Sequence, residues 1–233
     1  MASCAPRVLL RAADYVVLDK PPDVRMDGVN HAVTMNTLAE HWLGALPRFC
    51  HRLDYGTSGL LLGAFSKRAA AVAGKAFEAK TAAKTYVSVV RGAVTSRTID
   101  APLGPWGDGD FRVRVGGPKA KPASTRCEAL EPCVYMGEVC TKVALTPLTG
   151  RRHQLRVHMC SVGHPMVGDA TYDDGPTAAA PRMMLHARSL AVPLGDARLV
   201  AETPDPFPVV DGVLRPLVEL PLGDARIDCG GVS

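Results

Sequence analysis

Apolar and polar positions follow two periods along this chain, and the switch between them marks its elements. Tyr15–Asp19 is apolar through Val16, Val17 and Leu18 and stops at Lys20-Pro21-Pro22, where proline ends regular pairing. It predicts a strand. With Asn36 as cap, Leu38 and Trp42 at i, i+4 predict a short helix that closes near Gly44. Gly59–Phe65 is almost wholly apolar and predicts a buried strand. Ser66 then caps a helix whose Ala69, Val72, Ala73, Ala76 and Phe77 recur at helical spacing. Tyr86–Arg91 predicts the next strand, and residues 111–126 a basic hairpin turning at Gly116-Gly117-Pro118. Thr125–Leu130, Val139–Leu148 and Met184–Val192 predict further strands. Between the last two, Thr149 can cap a helix that runs to about Val162, stopped by Gly163 with Pro165 beyond.

Strands in runs, with few helices between them, predict an α+β fold built on a mixed, largely antiparallel sheet with flanking helices. No repeat, low-complexity run or linker divides the 233 residues. A single domain over 1–233 is therefore expected, with a loop-rich tail from about 203 that carries Pro204, Pro206, Pro208, Pro216 and Pro221. With 47% apolar residues and a net charge of +4, the chain can bury a core, which excludes disorder as its main state. No run approaches the roughly 18 apolar residues of a membrane helix. The seven cysteines form no CxxC; Cys127, Cys133 and Cys140 are evenly spaced but lack companion ligands. They read as free thiols of a reducing compartment. Met1–Leu10 has no signal-peptide core. The expectation is an intracellular, cytoplasmic protein, with nucleus and mitochondrion left open.

Charge changes the picture once it is divided along the chain. Residues 1–168 hold 22 Lys+Arg against 13 Asp+Glu, and residues 169–233 hold 5 against 10. The surplus gathers in 67–91, in 112–126, which has no acid, and in 151–158. Converged in space, these stretches suit a polyanion; kept apart, they are solvated faces.

Two segments can carry chemistry. His51-Arg52-Leu53-Asp54-Tyr55-Gly56-Thr57-Ser58-Gly59 is a polar turn before a buried strand, the kind of mount that holds catalytic groups. Asp54 there is either a carboxylate kept anionic by a nearby Arg or an Asx-turn residue bonded to its own loop. In Thr149–His158, Arg152 and Arg156 lie one helical turn apart. That face attracts an anion such as phosphate or the Asp54 carboxylate, or is merely the basic solvent side of an amphipathic helix. His153 and His158 are five apart, and no HExxH occurs, so no metal site is expected.

HRLDYGTSGLLL, KTYVSVVRG, PLTGRRHQLRVHMCSVGHPMVGDATY and MLHA follow one another in the order and approximate spacing of the RluA-type pseudouridine synthases. The chain resembles that family over roughly residues 8–195, and most closely its small eukaryotic RNA pseudouridylate synthase domain-containing members. The resemblance implies a pseudouridine-synthase-like sheet with a catalytic cleft; the matching core begins near residue 8, so no S4-like domain is expected ahead of it. It implies Asp54 as the catalytic carboxylate, Tyr86 against the uracil and Arg156 paired with Asp54. It implies Arg52 as the residue that displaces the target base. The alternatives are a packing tyrosine for Tyr86 and a surface ion pair for Arg52. His51 and Arg151, within the same motifs, are expected beside the substrate. Lys121-Pro122-Ala123-Ser124-Thr125 resembles the family segment that follows a mobile RNA-gripping loop, so Lys119 and Lys121 are expected on RNA.

The implied activity is isomerisation of uridine to pseudouridine in structured RNA (rRNA, tRNA or other). The N1–C1′ bond breaks, the base turns, and C5 rejoins. Asp54 either attacks C1′ or takes a proton from C2′. No cofactor and no metal are expected, because the sequence shows no Walker, Rossmann or metal-ligand motif. RNA is the expected partner, with no membrane and no nucleotide cofactor, and a monomer is the expected state. Aromatics are only 5% of residues, so recognition is expected through shape and phosphates rather than a stacking platform. The alternative function is an inactive RNA-binding or RNA-folding protein on the same scaffold.

Overall fold

A computed structural model describes residues 5–210 and 214–216. The chain opens with β1 (Arg7–Arg11), β2 (Tyr15–Lys20), α1 (Met35–Leu43), β3 (Arg48–Phe49), β4 (Ser58–Ala64), α2 (Lys67–Glu78) and β5 (Ala83–Arg91). Next come β6 (Arg97–Asp100), β7 (Leu103–Pro105), β8 (Val113–Val115), β9 (Ser124–Tyr135) and β10 (Glu138–Pro147). It closes with α3 (Gln154–Ser161), a 3₁₀ turn (Pro176–Ala179), β11 (Leu185–Leu194), β12 (Ala197–Glu202) and β13 (Arg215–Pro216).

Eleven of these strands form one sheet in the order β1-β2-β4-β11-β5-β10-β9-β13, with β12 on β11, β3 on β4 and β6 on β9. Every pairing is antiparallel except β4 with β11, which meet through His186↔Ser58 and Ala187↔Gly59. There the two backbones touch: a Cβ on Gly59, at φ +107°, would stand 2.3 Å from the Ala187 carbonyl oxygen. Only glycine lets this crossing close. The α+β, largely antiparallel architecture agrees with the sequence reading.

Side chains alternate across the sheet. Val17, Leu60, Leu62, Tyr86 and Val90 point to one face, where Ala73 and Ala76 of α2 and Leu155 and Met159 of α3 cover them. Val16, Leu18 and Leu61 point to the other, against Met35, Ala39 and Leu43 of α1. Val87, Val89, Cys133 and Cys140 join Phe207 and Leu214 on that second face. Thus part of the Pro-rich tail packs behind the sheet, and Asp205 pairs with the buried Lys142. Pro221 lies outside the described residues. The five described cysteines are free; burial pushes the thiols of Cys133 and Cys140 up to about 11 and about 12. No helix among the described residues is long and apolar enough to cross a membrane.

Three local expectations need correction. The cap of α1 is Thr34, in a reciprocal capping box with Thr37, not Asn36. Its buried stripe is Met35, Ala39 and Leu43, and Trp42 is exposed. Residues 111–126 do not fold on themselves: β8 pairs with β7, so the turn of the ribbon is 106–112. The turn forms there because the Asp110 carboxylate accepts the Arg112 backbone N–H at 2.8 Å and binds its guanidinium. Finally, Thr149 does not cap α3. Its hydroxyl accepts the Ser124 amide and donates to Gln154 Oε1, which also takes the Arg151 amide. The helix therefore starts at Gln154, and Arg152 lies ahead of it instead of one turn from Arg156 on a shared face.

Candidate active site

A cleft of ≈ 1290 Å³ opens on the face that carries α2 and α3. It exceeds the roughly 300–1,000 Å³ of most small-molecule pockets. Its floor is the polar turn between β3 and β4, β5 crosses behind it, and the chain around α3 makes the opposite wall.

Asp54 sits in that turn with its backbone oxygen accepting the Thr57 amide. Its carboxylate bonds no amide of its own loop; Oδ2 faces Arg156 Nη1 at 3.4 Å. The Asx-turn alternative falls. The turn is held from below by Lys20, fully buried at the end of β2, whose Nζ donates to the carbonyls of Pro21, Tyr55 and Thr57 at 2.8–3.0 Å. Burial lowers this amine to about 7, against the pull of Asp23 and Asp54 toward the charged form. Three carbonyl acceptors use all three N–H groups of an ammonium.

Arg156 is buried in the first turns of α3. Nε and Nη2 each donate to one oxygen of Asp169, at 2.7 Å, and its guanidinium lies 5.0 Å from the centre of the Tyr172 ring. This bidentate clamp leaves Nη1 for Asp54. Gly168, at φ +79°, delivers Asp169; a Cβ there would stand 2.0 Å from the Arg182 carbonyl oxygen. Tyr86 is buried on β5 opposite Leu145 and Ala187, and lines the cleft. Burial, then the Asp54 charge, pushes its phenol well above the usual value, so it stays neutral.

His153 stands before α3 in the left-handed region, at φ +51°. Its Nδ1 is 2.8 Å from the Tyr172 hydroxyl and its Nε2 is 3.9 Å from Asp54 Oδ1. Burial lowers its pKa below the usual imidazole value; Asp54 opposes this, while Arg156 and Arg152 reinforce it.

The other expected residues divide. Arg52 is exposed at the cleft and makes no ion pair among the described residues, so the surface-pair alternative fails. Arg151 is exposed there too, its Nε donating to the Pro122 carbonyl. His51 also reaches the cleft, but its Nε2 accepts the Leu62 amide at 3.0 Å and its ring packs on Phe77. Burial lowers it to about 3, which fits a neutral support of the turn better than a substrate contact. His158 turns away, between Thr125 and the Ala101 carbonyl.

Of the three basic stretches, two converge on the cleft, through Lys80 and Lys84 and through Arg151, Arg152 and Arg156. The third does not line it. Lys119 and Lys121 are exposed beside the β7–β8 ribbon, whose Phe111 reaches the cleft wall. Arg112 is neutralised by Asp110, just outside the acid-free window. Lys20, His153, Asp169 and Tyr172 escape the sequence reading as site residues. Asp169 and Tyr172 had one signal, a Gly-Asp pair and a tyrosine inside a long quoted motif, but nothing local shows an Asp turned inward.

Residues 14–161 match the model of the family described as RNA pseudouridylate synthase. RNA pseudouridylate synthase domain-containing protein 1 of Danio rerio is 37% identical over 90% of this chain and 78% of its own length. Dual-specificity RNA pseudouridine synthase RluA of Escherichia coli (strain K12) is 37% identical over 61% of this chain and 65% of its own. Among solved structures, human RNA Pseudouridylate Synthase Domain Containing 1 superposes with a TM-score of 0.79 at 36% identity, over 88% of this chain and 85% of the other.

Proposed function

The chain belongs to the RNA pseudouridylate synthase family and is thus an isomerase that converts uridine to pseudouridine in RNA, and we propose that Asp54 is its catalytic carboxylate. One observation carries the reading. Asp54 lies on the floor of a cleft with basic walls, facing a buried Arg156 that Asp169 holds in place. Both routes to N1–C1′ cleavage, attack on C1′ and removal of the C2′ proton, start from a carboxylate anion. The guanidinium faces that carboxylate at 3.4 Å and aims it.

Tyr86 offers the detached uracil a neutral, apolar surface on which to turn. When C5 joins C1′, the C5 proton leaves and N1 gains one, so no net electron or proton is supplied. Arg52, at the rim, is suited to fill the gap left by an extruded base, a step that costs a few kcal/mol. Phosphate contacts from Lys80, Lys84, Arg151 and Arg152 offset that cost. Structured RNA is the substrate class that such a groove suits, read by shape and backbone.

The test is tritium release from 5-[³H]uridine-labelled total RNA by wild type and by Asp54→Asn. Wild type releases label and the variant does not, while both bind RNA with the same salt sensitivity. Equal release by the two would remove Asp54 from the chemistry. Binding without release by either would favour an RNA-binding role alone.

A further inference from the structure

The β7–β8 ribbon and the Asp54 carboxylate sit on different parts of the chain, yet one short path joins them. The Val113 amide of β8 donates to the Tyr172 hydroxyl at 3.0 Å. That hydroxyl is 2.8 Å from His153 Nδ1, and His153 Nε2 is 3.9 Å from Asp54 Oδ1. The Tyr172 ring also packs on the Arg156 guanidinium, and Phe111 of the ribbon meets the His153 ring edge-on, 6.2 Å between centres.

In the tautomer with no hydrogen on Nδ1, the Tyr172 oxygen accepts the Val113 N–H and gives its single O–H to His153 Nδ1. That leaves the imidazole hydrogen on Nε2, aimed at Asp54. Each oxygen of Asp54 then has its own facing donor, Arg156 for Oδ2 and His153 for Oδ1. The left-handed backbone of His153, a conformation that residues with a side chain seldom adopt, puts the ring there.

We propose that His153 and Tyr172 are positioning residues that tie the aim of Asp54 to the seating of the β7–β8 ribbon. The ribbon presents exposed Phe111, and Arg114, Lys119 and Lys121 lie on and beside it, so RNA held against it fixes Val113. Val113 fixes the Tyr172 hydroxyl, and the hydroxyl fixes the imidazole. The inference rests on the reading of Asp54 as the catalytic group. The charged and titratable groups that face His153 are Asp54, Asp169, Arg152, Arg156 and Tyr172.

Two measurements on the full chain test it. First, single-turnover release from 5-[³H]uridine-labelled total RNA falls about tenfold in Tyr172→Phe, the loss expected when one hydrogen bond stops orienting a reacting group. RNA affinity stays within about twofold, as a positioning role requires. His153→Ala falls at least as far, His153→Gln, which keeps a donor, recovers part of the loss, and the double variant is no slower than His153→Ala. Wild-type turnover in Tyr172→Phe, or equal loss in His153→Ala and His153→Gln, would overturn the proposal. Second, the imidazole of His153 is titrated by NMR without RNA. Asp54→Asn moves its midpoint down, because the carboxylate charge favours the imidazolium; an unmoved midpoint would break the link to Asp54. Should wild type release no label, the proposed activity fails, and this titration still decides the link.

Discussion

Arg156 and Asp169 share a two-pronged contact inside the protein, Nε and Nη2 each 2.7 Å from a separate carboxylate oxygen. Both side chains are almost fully buried, so neither charge has water to fall back on. Asp169→Ala leaves a guanidinium without its partner and should cost about 3–5 kcal/mol of stability, the usual result of breaking a buried pair from one side. Asp169→Asn, which keeps one acceptor, should cost less. Urea unfolding of the two variants checks this; a loss under about 1 kcal/mol for the alanine would mean that Arg156 is well hydrated.

Arg156→Lys keeps the charge but not the fork. A single ammonium cannot replace two parallel bonds to Asp169 and still hold a third group at Asp54. With Asp54 as the proposed catalytic group, single-turnover rate should fall at least about tenfold and RNA affinity stay nearly unchanged, because the contact orients that carboxylate rather than the polymer. A lysine variant at full rate would show that charge alone suffices.

His186, buried on β11, bonds Ser58 through Nδ1 and Thr203 through Nε2, and burial lowers it to about 4. A base with a depressed folded pKa is neutral in the native state while the unfolded chain binds the proton at about 6.5. Its stabilisation is therefore complete above about pH 6.5 and is lost as pH falls toward 4. His51, lowered to about 3, acts in the same direction. Melting temperature should drop steadily from pH 6.5 to 4.5, and His186→Gln should show a shallower drop than wild type. Parallel curves would mean that His186 is already charged in the fold.

Lys119 and Lys121 stand exposed beside the ribbon and outside the cleft. If RNA lies across both, replacing the pair by Ala should lower the slope of log affinity against log salt by about one unit for each lost phosphate contact. Turnover at saturating RNA should fall as well, because a ribbon that RNA no longer holds leaves Val113, and through Tyr172 and His153 the Asp54 carboxylate, less firmly seated. An unaltered slope would put the RNA path elsewhere, along the Lys80, Lys84 and Arg152 wall.

Regular elements with a strong pattern were legible in the sequence. Ser66 and the alanine stripe after it specify α2, and the apolar block before it specifies β4, because burial of a periodic face needs only local information. The cap of α1 was misplaced because Thr34 and Asn36 both suit the role; the reciprocal Thr34–Thr37 bonds choose between them. The start of α3 was misplaced for a longer-range reason. The Thr149 hydroxyl is engaged by Ser124, which lies 25 residues earlier.

By itself the sequence determined the fold class and the family and singled out Asp54 as the candidate carboxylate, since motif order and hydrophobic period are properties of the chain alone. Tertiary structure decided what surrounds that carboxylate. Asp169, Tyr172 and Lys20 read as an acid, an aromatic and a strand end until folding buries them. Then Lys20 carries the turn, Asp169 clamps Arg156, and Tyr172 joins the ribbon to His153. A buried polar group must find partners, and the chain cannot announce which ones, because they come from whichever distant segments the sheet brings beside it.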